Sequence, residues 1–137
     1  WVRQHDPLFT ADGRISIFNN NVHPSQYTPG VQRDPSLIEG SNILEIDPAA
    51  GTHDVVYGDR PGEEMLTFIR GKHQRLPDGH IMIAEFEAGR AFEVDVDRRI
   101  VWEYINRYDA EHVAEITGAR VYPRSYFAVT DWSCPQE

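Results

Sequence analysis

The sequence is short of lysine, of cysteine and of helical periodicity, and each shortage excludes something. Among its 13 basic residues there is a single lysine, Lys72, and Lys and Arg form no cluster. Proteins that bind nucleic acid displace phosphate counterions with a basic footprint. This chain has 22 acidic residues, a net charge of −9 and no such footprint, so nucleic acid is not an expected partner. A small anion remains compatible, because a few local Arg and His side chains outweigh distant acidic surface. The single cysteine, Cys134, cannot form an internal disulfide. No apolar run approaches the roughly 18 residues that a membrane span requires. The first residues carry no signal-peptide pattern. The chain begins at Trp1 rather than Met, so an upstream portion is expected.

What is present is β-structure. A chain of 137 residues with 40% apolar content suits one domain with a real core. Arg14 to Phe18 alternates, with Ile15 and Ile17 on one side, and it follows an Asp12-Gly13 turn signal. The stretch 19–41 is rich in Asn, Pro, Gly and Ser and reads as a loop. Asn42–Asp47 and Val55–Tyr57 read as strands, and Met65–Arg70 as extended. The order then recurs from Gly71. His73–Leu76 precedes the turn Pro77-Asp78-Gly79, and Ile81–Phe86, Ala91–Asp95 and Ile100–Tyr104 follow as strands. One helix is expected over 109–117, with Asp109 as N-cap and Gly118 ending it. Arg120–Tyr122 begins another extended run.

The two halves align on their turns and on Leu44-Glu45-Ile46-Asp47 against Phe92-Glu93-Val94-Asp95. Leu44 follows Gly13 by 31 positions and Phe92 follows Gly79 by 13, so the first half carries 18 extra residues in one connection. Four short strands per period is the sequence form of a propeller blade. The expected fold is all-β, a partial β-propeller. Blades at 1–70 and 71–108 are followed by the start of a further blade at 109–137. Propellers typically close with roughly four to eight blades. The remaining blades are therefore expected from upstream sequence or from another chain. Phe18, Phe92, Trp102 and Tyr104 are expected in the core between blades.

The stretch RGKHQRLPDGHIMIAEFEAGRAFEVDVDRRIVWEYIN resembles the blade phrase of bacterial and archaeal arylsulfotransferases. QHDPLFTADGRISIFNN resembles that family's preceding blade, and ARVYPRSYF its C-terminal part. The resemblance implies a propeller with its active site at the mouth of the central channel. It implies sulfuryl transfer from a phenolic sulfate to a phenol through a sulfated histidine, without a nucleotide sulfate donor or other cofactor. It also implies a periplasmic or extracellular location.

In a propeller the first strand of each blade lines the channel, and His5 and His73 both open such a strand. An imidazole suits this chemistry, since it attacks sulfur as a neutral nucleophile and changes protonation state near neutral pH. Arg, His and Asn supply donors for oxygens that gain charge. Following the family's blade order, His73 is the expected nucleophile and His5 the sulfuryl-binding or acid–base histidine. Asn19 and Asn20 occupy the place of the family's "DNG" and, with Arg33 and Arg70, are the expected substrate contacts. Asp6 beside His5 caps the strand start or orients an imidazole. His23, His53, His80 and His112 read as solvated surface. Neither His5-Asp6 nor His53-Asp54 has the ligand spacing of a preformed metal site, so no metal is assigned. The alternative is a non-catalytic propeller segment that binds a partner within a larger assembly.

Overall fold

A computed structural model describes residues 3–22, 40–129, 131 and 133. It forms two four-stranded antiparallel sheets, each a meander of neighbouring strands. The first sheet contains β1 (Gln4–Phe9), β2 (Ile15–Asn19), β3 (Asn42–Asp47) and β4 (Thr52–Tyr57). The second contains β5 (Lys72–Arg75), β6 (Ile81–Glu85), β7 (Arg90–Val94) and β8 (Ile100–Ile105). The alternation of Phe92 with Val94 marks the core side of the second sheet, whereas in the first sheet the core side is that of Ser16, Phe18 and Ile43, opposite to Ile15, Ile17, Leu44 and Ile46. Phe18, Ile43 and Tyr57 of the first sheet share one core with Ile81, Ile83, Phe92 and Val94 of the second. The rings of Tyr57 and Phe92 meet at 5.8 Å.

Register repeats between the sheets. Ile15 faces Ile46 in the first, and Ile81 faces Val94 in the second. The strand β1 departs from this regularity. Between His5, opposite Phe18, and Leu8, opposite Ser16, it carries one extra residue as a β-bulge. Asp6 in this bulge has φ +50°, and Pro7 next to it has no N–H to give to the ladder. Because β1 is an edge strand, the irregularity breaks no pairing on its outer side.

Polar groups tie the sheets together at their margins. Arg75 on β5 reaches Glu45 on β3 at 3.0 Å. Arg98, in the turn before β8, bonds Asp59 and Glu63 beyond β4. The connection 63–70 is irregular rather than a strand. Glu85 and Glu87 satisfy its backbone by accepting from the N–H groups of Leu66, Phe68 and Ile69.

The helix expected over 109–117 does not form. The Oδ1 of Asp109 accepts from the N–H groups of Glu111 and His112, both at 2.8 Å. Tyr108 donates to the His112 carbonyl, and Arg107 bridges to Val113. The chain therefore turns tightly and returns in extended form, with Ile116 donating to Phe86. An Asp that bonds backbone N–H groups two and three residues on serves a turn as readily as a helix start. So short a helix needs a buried face to persist, and Val113 is 43% exposed. The run expected from Arg120 is not a strand either; a 3₁₀ turn, Arg124–Tyr126, follows it. Phe18 and Phe92 are fully buried as expected, whereas Trp102 and Tyr104 are 47% and 48% exposed. These two lie on the side of β8 that no sheet covers among the described residues.

Candidate functional site

The first strands of the two sheets meet at one end. An open cavity of about 350 Å³ lies there, lined by His5, Asp6, Arg70, Gly71, Lys72 and Thr117. The backbone builds it. Counted from the Asp-Gly turns, Phe18 corresponds to Ala84. His5 faces Phe18, and Lys72 faces Ala84, so Lys72 rather than His73 is the counterpart of His5. Two positions earlier stand Arg3 and Arg70, each with φ +61°. An uncommon backbone conformation thus recurs beside a basic side chain at each sheet's entrance. Arg70 also places its guanidinium 4.4 Å from the ring centre of Phe86, which holds a long side chain in place.

The bulge separates the two histidines. His5 is partly exposed on the cavity, while His73 is only 1% exposed and faces the first sheet. His73 Nε2 lies 2.7 Å from Ser16 Oγ. Its Nδ1 is 3.5 Å from Asp6 Oδ2 and makes no hydrogen bond. The Asp6 carboxylate favours the proton on Nδ1, leaving Nε2 to accept from the Ser16 hydroxyl. The order Asp6, His73, Ser16 resembles a hydrolytic triad. Ser16 is fully buried, however, so no substrate reaches it. The line braces one sheet against the other. Ser16→Ala is expected to destabilise the fold by about 1–3 kcal/mol, because it strips a buried ring nitrogen of its partner. A lower urea midpoint at unchanged slope is the expected observation.

Asp6 is the hinge between brace and cavity. Its Oδ2 accepts from the His73 backbone N–H at 2.9 Å. Burial pushes its pKa up, but the contacts with His73 and the positive charge of Arg120 outweigh that. The carboxyl is held below its usual 3.8. Its ionisation therefore stabilises the fold fully above pH 3.8, and this contribution is lost as pH falls through the lower folded-state value. Asp6→Asn is expected to cost about 1 kcal/mol at pH 7, the excess of a charged over a neutral hydrogen bond. The difference from wild type should shrink in urea titrations below pH 3.8. A constant difference across pH would remove Asp6 ionisation from the account.

Asn19 and Asn20 lie elsewhere. Both are buried, and neither lines the cavity. Asn19 Nδ2 donates to Asn42 Oδ1 at 3.1 Å, and Asn20 Nδ2 to the Thr67 carbonyl at 2.7 Å. Asn20 thereby helps fix the connection that delivers Arg70. Arg33 lies outside the described residues. Lys72 and Thr117 were missed in the sequence. The signal for Lys72 was its place next to Gly71 and beside the matching turn count. Thr117 enters only through the fold of the returning chain. Away from the cavity, Asp78, His80 and Glu93 bring one ligand atom each within 4.8 Å of one another.

Residues 1–107, which include both sheets, match the family described as arylsulfotransferase (ASST). The chain belongs to the arylsulfotransferase family. A comparison with curated proteins gave no match. The arylsulfotransferase match ends just past β8, so Thr117 and Arg120 lie beyond the matched residues. No helix among the described residues of this arylsulfotransferase-family chain is long and apolar enough to cross a membrane.

Proposed function

We propose that the chain transfers a sulfuryl group from a phenolic sulfate to a phenol at the cavity of His5, Arg70 and Lys72. The observation that carries this reading is the convergence of an imidazole, a guanidinium and an amine on one open cavity of an acidic protein. In this reading His5 is the nucleophile. Its neutral ring nitrogen attacks sulfur, forming the N–S bond as the S–O bond to the phenolate breaks. Arg70 and Lys72 neutralise the equatorial oxygens and the departing phenolate. The acceptor phenol then attacks sulfur from the vacated side, forming a new S–O bond as the N–S bond breaks; its proton passes to solvent and the neutral imidazole is regenerated. His73 holds the cavity wall instead, since its Nε2 is engaged with Ser16.

Residues 1–70 and 71–108 serve in this reading as adjacent propeller blades, with 109–137 leading to another. Tyr57 and Tyr104 support it. Each sits opposite the matching strand residue, Ile43 and Ala91. Tyr57 is buried by the second sheet, while Tyr104 is about half exposed. A further sheet, from flanking sequence or another chain, would cover Tyr104 as the second sheet covers Tyr57.

The test is transfer from para-nitrophenyl sulfate to phenol, followed by nitrophenolate release, in the wild type and in His5→Ala, Arg70→Ala and Lys72→Ala. Removing either cation is expected to raise KM for the donor about tenfold or more, since charged hydrogen bonds are worth about 1.5–3 kcal/mol. Equal rates in all four proteins would sink the assignment.

A further inference from the structure

At the far end of β5 from the cavity, the turn 76–80 carries two metal-ligand side chains and β7 a third. We propose that Asp78, His80 and Glu93 bind one divalent transition-metal ion, with zinc the best match to the donor set. Nδ1 of His80 lies 2.6 Å from Glu93 Oε1 and 3.9 Å from Asp78 Oδ2. Ligand atoms about 2.0–2.2 Å from a tetrahedral zinc are about 3.4 Å apart. The observed spacings bracket that value. Asp78 Oδ1 already accepts from the His80 backbone N–H, which leaves Oδ2 for the ion. One imidazole with two carboxylates selects a transition ion over calcium or magnesium. Three protein ligands leave a fourth position for water.

Charge balance distinguishes this corner from its counterpart in the first sheet. There Asp12, Arg14 and Glu45 stand at the matching positions. Arg14 lies 3.5 Å from Asp12, and Arg75 lies 3.0 Å from Glu45, so each carboxylate has its own guanidinium. In the second sheet His80 replaces the arginine, and neither Asp78 nor Glu93 pairs with Arg or Lys among the described residues. Two carboxylates therefore share one titratable ring. A divalent cation would neutralise both.

The experiment is calorimetric titration of the metal-free chain with zinc chloride at pH 7.5, with cobalt(II) absorption as a second readout. One ion per chain is expected, with at least tenfold weaker binding in His80→Ala and in the nearly isosteric Glu93→Gln. His112→Ala, at the exposed His112–Asp109 pair, should leave binding unchanged. In wild type the cobalt visible band should gain the intensity of a low-symmetry site and lose it in Glu93→Gln. Absence of binding in wild type would overturn the proposal. So would equal affinity in His80→Ala, or loss of binding in His112→Ala alone.

Discussion

Gly71→Ala is expected to destabilise the protein by about 3 kcal/mol or more. A Cβ at this position would stand 2.5 Å from Phe18 Cε1 and 2.7 Å from Cζ. Phe18 is fully buried in the core shared by the two sheets, so its ring has little room to withdraw. Overpacking of that kind costs about 1–3 kcal/mol. The backbone adds a second cost. Gly71 has φ +83°, and a left-handed conformation costs an L-residue about 1–2 kcal/mol. Gly51→Ala separates the two contributions. That glycine also has positive φ, +68°, but nothing lies within 4 Å of its would-be Cβ. It should lose only the backbone part. Urea midpoints of the two variants measure the difference, and equal losses would mean that Phe18 yields freely.

His5→Ala is expected to lower sulfuryl transfer at least about a thousandfold while leaving stability within about 0.5 kcal/mol of wild type. The kinetic loss follows from removing the proposed nucleophile, after which only binding and the remaining donors contribute. The small stability effect follows from its partial exposure at a strand edge. His73→Ala should behave in the opposite way. Removing a fully buried ring and orphaning Ser16 should cost about 3 kcal/mol or more. Its activity should fall with the folded fraction and recover at temperatures where the variant is native. Loss of turnover in a fully folded His73→Ala, with His5→Ala active, would exchange the two roles.

The strands were legible because alternation and turn chemistry agreed. Phe92 with Val94 after Ala88-Gly89 carries local and tertiary preference in one direction, while Ile15 with Ile17 after Asp12-Gly13 marks the strand but not its core side, which Ser16 and Phe18 take. The stretch after Asp109 did not. Its aspartate signals a helix start and an Asx turn with the same hydrogen bonds, and the choice rested on whether a core face awaited Val113 and Ile116. The site was half legible. His5 and Arg70 were named from their positions, and they line one cavity. Lys72 was not named, and His73, expected at the cavity, is buried against Ser16. Which of two neighbours lines the cavity depends on register: His73 faces Ile83 in an unbroken β5–β6 ladder, while the extra residue at Asp6 shifts His5 to match Lys72. Pro7 was the visible mark of it.

That extra residue has a further consequence. A strand has only two sides, and a bulge lets one take in an extra residue without exchanging them. Taking one residue from between His5 and Leu8 would remove the bulge and leave His5 opposite Phe18, with the remaining residue opposite Ile17. Taking two would set His5 opposite Ile17 and send it to the other side of the sheet. The bulge therefore holds one residue in reserve: losing it keeps the imidazole at the cavity, while losing a second turns it away.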